Sequence, residues 1–173
     1  DHSGIIVLPD EAVVGTPAAE YYHLDSDWVI DIDITANRAD ALSHYGVARD
    51  LYAWLTQRGY KTTLHRPDCS KFHVDNESMP IDVEIENTDA CKRYACLSIT
   101  DCQVKESPKW LQEKLNVIGL RPINNIVDIT NYIMMAYGQP MHCFDADKVI
   151  GHKIVVRTQP EGTKFVTLDG VEH

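Results

Sequence analysis

The stretch from Gly119 to Asp145, GLRPINNIVDITNYIMMAYGQPMHCFD, limits what this chain can fold into more than any other. Gly119 is a helix stop, and Pro122 follows it. Asn124 or Asn125 can cap a new helix running to about Tyr137, where Gly138 ends it. The helix has an apolar stripe of Ile126, Ile129 and Ile133, interrupted by Asp128, Thr130 and Asn131. Asp128 and Asn131 are three residues apart and share a side, one turn beyond the Asn pair. Asn and Thr are mediocre helix formers, so their place inside a helix asks for a reason. Either they bond locally to backbone and neighbouring loops, or they line a pocket wall. A Gly138-Gln139-Pro140 corner then fixes the backbone ahead of His142. That histidine is either a satisfied structural residue or a group that holds or moves a proton, with Asp145 and Asp147 nearby and Gln139 able to orient a partner. The Asp145-x-Asp147 pair could suggest Mg²⁺, but Asx-type turn bonding is the plainer reading.

Elsewhere the pattern alternates between short strands and helices. Residues 1–27 read as an extended lead-in with a short helix from Pro17 to Tyr22. Val29 to Ile34 alternate as a half-buried strand. A helix is expected from about Ala41 to Arg58, with Leu42, Tyr45, Ala48, Leu51, Tyr52 and Leu55 on one stripe, Asp40 or Ser43 as its cap and Gly59 at its end. His65 to Pro80 is polar and aperiodic, a linker. Residues 81–86 alternate as a strand, Asn87-Thr88-Asp89 can cap a single turn, and 93–104 read as one or two strands. Ser107-Pro108 before KWLQEKLNVIG marks a helix with Ser107 as N-cap and Gly119 past its end. HKIVVRT and KFVTLDG are further strands, with Asp169-Gly170 a two-residue hairpin turn. The expected class is α+β in two modules: residues 1–75, a small strand–helix module with its lead-in, and residues 76–173, a mixed module of antiparallel strands packed against two helices.

Composition excludes several functions. The longest apolar runs fall far short of the roughly 20 residues of a membrane span, and the N-terminus lacks the basic start of a signal peptide, so a cytoplasmic protein without membrane contact is expected. Five cysteines with no CxxC pair imply reduced, mostly buried thiols rather than a zinc site or disulfide framework. The tyrosines and tryptophans read as core. A net charge of −10 argues against tracking a nucleic-acid backbone, so any nucleic acid would be met at a small part such as a chain end. The nucleotide-binding motifs GxGxxG and GxxxxGK[ST] are absent, as is a nucleophile elbow. Both termini read as interruptions of a longer protein.

The segments ITANRADALSHYGVARDL, GLRPINNIVDITNYIMMAYGQPMHCFD and KFVTLDG together resemble the beta subunit of bacterial phenylalanyl-tRNA synthetase, over about Gly4 to Gly170. The resemblance implies the end of the family's N-terminal module, followed from about Ile81 by the first part of its editing module. It implies an aminoacyl-tRNA synthetase, a ligase of two alpha and two beta subunits that attaches phenylalanine to tRNA with ATP and Mg²⁺. Adenylate chemistry would belong to the alpha subunit, and no cofactor to this stretch. The editing module would hydrolyse tyrosine wrongly attached to the same tRNA. Thr130, Asn131 and His142 match its pocket, as both catalytic and substrate-binding residues. A small-residue Ala/Gly segment and a glutamate would follow after residue 173.

Physical chemistry makes that division of labour sensible. An apolar pocket rejects one added hydroxyl only about a hundredfold. A second site that hydrogen-bonds the phenol, and leaves its own buried polar groups unpaired with phenylalanine, adds the missing discrimination. The ester is already activated, so hydrolysis needs a positioned water more than a strong nucleophile. The alternative is a scaffold that places tRNA without chemistry of its own. A free-standing deacylase is disfavoured by the first module.

Overall fold

A computed structural model describes residues 4–23, 27–167 and 170–173. Its helices begin and end where local chemistry says they should. A short helix, α1, spans Ala18–Tyr21, and α2 spans His44–Gln57 with Ser43 as N-cap, its hydroxyl accepting from the Gly46 N–H. Past its end, Gly59 takes a left-handed φ, its N–H bonds to Thr56 O, and Tyr60 N–H reaches back to Leu55 O. The helix α3, Lys109–Val117, stops the same way: Gly119 N–H bonds to Asn116 O and Leu120 N–H to Leu115 O. These paired bonds satisfy carbonyls that a helix end leaves without partners, and they require the left-handed residue between them. The helix α4, Asn125–Tyr137, is capped by Asn124, whose side chain accepts from Ile126 and Val127 N–H, and ends at left-handed Gly138.

The strands depart from expectation. The antiparallel arrangement expected for residues 76–173 is not what the chain forms. Its sheet, among the described residues, has two strands, Asp82–Ile85 (β1) and Lys153–Val156 (β2), paired in parallel with Asp82 opposite Lys153 and Ile85 opposite Val156. The reason is topological. Parallel neighbours need a long crossover, which α3 and α4 supply, whereas alternation of side chains is the same in either orientation. Glu84 and Lys153 form an ion pair across the two strands. Among the described residues the one antiparallel feature is an isolated bridge, Val166 with Glu172, flanked by Phe165 and His173 exchanging both backbone bonds. The expected Asp169-Gly170 turn falls partly outside the described residues.

Residues 29–34 and 93–104 belong to no ladder, and Val29, Ile30, Leu97 and Ile99 are exposed. Their apolar faces find no partner among the described residues. The chain exposes 15585 Å², against about 8,600 Å² for a close-packed chain of this mass. The tryptophans read as core are exposed, as are four of the five free thiols, with only Cys91 half-buried. Both expectations took an apolar residue type as a sign of burial, and burial needs a facing element.

The core that does close lies between α3 and α4. Leu111 and Leu115 of α3 are each 1% exposed, and the Trp110 ring meets Tyr132 of α4 edge-on at 5.7 Å. Ser107 is not the N-cap of α3. Its hydroxyl instead donates to Asp128 at 2.5 Å, and Pro108 occupies the cap position. The helix α2 packs on the far end of α4 and on its own preceding turn, the short 3-10 helix Ala39–Ala41. A Cβ on Gly46 would stand 2.3 Å from Asp40 O, so only glycine permits that approach. Arg38 holds the same turn by donating to Asp40 at 2.9 Å and to Asp50 at 2.7 Å, and Arg49 donates to Asp40 at 2.6 Å.

Candidate functional site

The polar residues of the 119–145 segment divide into two groups. Asn124, Asn125, Asp128 and Thr130 spend their side-chain bonds inside the chain. Asn125 acts as a short stretch of strand edge: its amide donates to Gln103 O at 2.9 Å, its carbonyl oxygen accepts from Lys105 N–H at 3.0 Å, and its own N–H bonds to Lys105 O. Asp128 is 0% exposed. One carboxyl oxygen accepts from Ser107 Oγ and the other from Ile123 N–H at 2.9 Å, so a single side chain ties α4 to the approach of α3 and to the loop between the helices. Thr130 Oγ1 donates to Val127 O at 2.7 Å, one turn back along α4. For these four, local bonding is what the structure shows.

The second group is Asn131 and His142. Asn131 is half-buried on α4 and, among the described residues, its side chain forms no hydrogen bond. His142 is exposed, four residues past Gly138, with its ring tilted against Phe144 at 6.2 Å between centroids. Thr130 and Asn131 are neighbours in sequence and so point about 100° apart around the helix. Thr130 retains acceptor capacity on its hydroxyl while donating to Val127. A groove lined by residues 72–76, Ser78, Met79 and 97–100 contains none of the three candidates.

Asp145 accepts from Asp147 N–H at 3.3 Å and meets Lys148 at 3.2 Å, the Asx-type arrangement rather than a cation site. Among the described residues no three His, Cys, Asp or Glu side chains gather as metal ligands. None of the helices in the described residues is long and apolar enough to cross a membrane.

The structure also brings in residues that sequence patterning passed over. His44 Nδ1 lies 3.0 Å from Met135 O, Tyr45 and Tyr137 approach at 6.2 Å between ring centroids, and the start of α2 meets the end of α4. Gly138 was the available signal, since a bare backbone at a helix end also permits close approach.

Residues 90–173, which carry α3, α4, the corner and β2, match the family model of the B3/4 domain. Across nearly its whole length the chain is similar to phenylalanine–tRNA ligase beta subunits. It is 61% identical over 171 residues to the phenylalanine–tRNA ligase beta subunit of Bacteroides fragilis, covering 99% of this chain and 21% of that protein. With the same subunit from Bacteroides thetaiotaomicron it shares 60% over 172 residues, 99% of this chain and 21% of the relative. With that of Carboxydothermus hydrogenoformans it shares 46% over 169 residues, 98% of this chain and 20% of the relative. The chain is thus similar to the phenylalanine–tRNA ligase beta subunits over nearly its whole length, and spans about a fifth of the length of the relatives it matches.

Proposed function

We propose that this chain serves within a phenylalanine–tRNA ligase as beta-subunit sequence, residues 1–75 closing an N-terminal module and residues 76–173 opening an editing module. In this reading the editing module hydrolyses tyrosine wrongly joined to the phenylalanine tRNA. The observation that carries it is the match of residues 90–173 to the B3/4 domain, within beta-subunit similarity over 99% of the chain. The 3′ end of the tRNA enters beside α4. Asn131, half-buried with uncommitted amide groups, and Thr130, with spare acceptor capacity, hold the ester and its water. His142 orients that water or takes its proton. Partner alpha subunits, in an assembly of two alpha and two beta, carry the ATP- and Mg²⁺-dependent charging step in the cytoplasm.

The test is tyrosyl-tRNA deacylation by the assembled enzyme. His142→Ala slows it on the order of a hundredfold, as removal of a positioned proton-handling group does, while phenylalanylation stays near wild type. Equal deacylation rates in variant and wild type refute the role of His142.

A second reading is favoured by the four polar residues that bond internally: a scaffold that places tRNA without chemistry of its own. Hydrolysis of tyrosyl-tRNA by this 173-residue chain, compared with the complete subunit, separates the two.

A further inference from the structure

We propose that the start of α2, through His44, is a positioning element for His142, an inference that rests on the editing reading above. The last carbonyls of α4 have no partners within the helix. Gly138 N–H satisfies Met134 O at 2.8 Å, and His44 reaches the next carbonyl, Met135 O, at 3.0 Å. That bond requires the proton on Nδ1, so His44 donates as the Nδ1–H tautomer or as imidazolium.

Three further contacts seat the same joint. A Cβ on Gly138 would stand 3.4 Å from Ser43 Cβ and 3.6 Å from Leu42 O, so the corner rests directly on the cap of α2. The Tyr45 ring meets Tyr137, the last residue of α4, and its hydroxyl accepts from Arg66 Nε at 2.9 Å, which fixes the ring. The positive N-terminal end of α2 also faces the negative C-terminal end of α4, an attractive pairing of helix dipoles.

The link to His142 is short, and two of its residues are conformationally restricted. Gly138 holds φ 73°, Pro140 fixes its own φ, and Gln139 is restricted by the proline after it. A shift of the last turn of α4 moves the origin of this four-residue link and so displaces the imidazole at its end. His44 does not touch the reacting ester; it acts by placing the group that does.

The experiment uses the complete beta subunit assembled with its partner subunit, carrying His44→Ala, His44→Asn, His142→Ala or the His44→Ala/His142→Ala pair. Asparagine places an amide nitrogen where Nδ1 stood and restores the bond. His44→Ala lowers kcat for tyrosyl-tRNA deacylation about tenfold, within the hundredfold that a 1 Å misplacement can cost, with KM nearly unchanged. His44→Asn returns kcat toward wild type. The double variant is no slower than His142→Ala alone, because both substitutions disable one group. Hydrogen exchange of the Gly138 amide, which bonds to Met134 O at 2.8 Å, quickens in His44→Ala and recovers in His44→Asn. Unchanged exchange there, or losses that multiply in the double variant, overturn the proposal. If His142→Ala slows deacylation and His44→Ala does not, positioning by His44 fails alone. If His142→Ala changes nothing, the editing reading fails and this inference with it.

Discussion

Removing the Asp128 carboxyl group should be among the most damaging single changes in this chain, and its cost can be worked from two bonds. The group is 0% exposed and accepts from Ser107 Oγ at 2.5 Å and Ile123 N–H at 2.9 Å. Asp128→Ala leaves both donors without a partner in a site closed to water. An unpaired buried donor costs about 1–3 kcal/mol. The Ser107 hydroxyl can rotate toward another acceptor, so its share lies near the low end, about 1 kcal/mol. The Ile123 N–H is fixed by the backbone and contributes about 2 kcal/mol. The sum, about 3 kcal/mol, lowers Tm by roughly 6–12 °C for a chain of this size. Asp128→Asn is milder at about 1 kcal/mol, since its oxygen still accepts from Ile123 while its amide donates to a rotated Ser107 hydroxyl. Urea unfolding followed by circular dichroism measures both, and exchange of the Ile123 amide reports the local bond. With Ser107→Ala, the double variant should be less destabilised than the sum of the singles, by about 1 kcal/mol. An Asp128→Ala protein within about 0.5 kcal/mol of wild type, the spread of ordinary surface changes, with strictly additive effects, would refute the reasoning.

Two other outcomes follow from the packing and charges around α2. Alanine for glycine inside a helix ordinarily stabilises by about 1 kcal/mol. At Gly46 the sign reverses, because the new Cβ meets Asp40 O at 2.3 Å and Ala41 Cα at 2.7 Å, and Gly46→Ala costs about 1–3 kcal/mol in denaturant unfolding; a gain in stability would show that α2 does not rest on that turn. The hydrogen bond from Arg38, helped by the charges of Arg38 and Arg49, holds the Asp40 carboxyl below its ordinary value of 3.8. A depressed pKa in the folded state means this contribution is present above pH 3.8 and is lost as pH falls through the folded value. Carbonyl-carbon NMR titration of Asp40 should therefore give a midpoint below 3.8 that rises in Arg38→Ala, and a wild-type midpoint at or above 3.8 would contradict the ion-pair geometry.

The helices were legible because their signals are local. Ser43 and Asn124 are short polar side chains able to reach back to the first free N–H groups, and Gly59, Gly119 and Gly138 can turn left-handed where the next residue must leave the axis. Ser107 is instructive because it has the same chemistry as Ser43 and sits before a proline, yet its hydroxyl goes to Asp128. A buried carboxyl across the helix pair outcompetes a local cap, and no window of sequence around Ser107 contains Asp128. For the site the sequence signal is less discriminating. Thr130, Asn131 and His142 came from the resemblance, while polar residues in an apolar pattern also include Asn124, which bonds within its own turn, and Asn125 and Asp128, which reach residues 103–107.

By itself, then, the sequence determined where this chain becomes helical, where each helix stops, that residues 81–86 and 152–158 contain strands, and which family it resembles. Those properties depend on neighbours within a turn or two, or on the order of residues alone. Only the tertiary structure decided that β1 and β2 run parallel, that α2 seats the end of α4, and that most of the polar residues in the 119–145 segment bond inward. Strand orientation, the landing place of a helix and the partner of a buried carboxyl are contacts between residues distant in sequence. Side-chain periodicity is identical for either strand direction, and a polar residue carries the same signal whether its partner is a ligand or the chain itself.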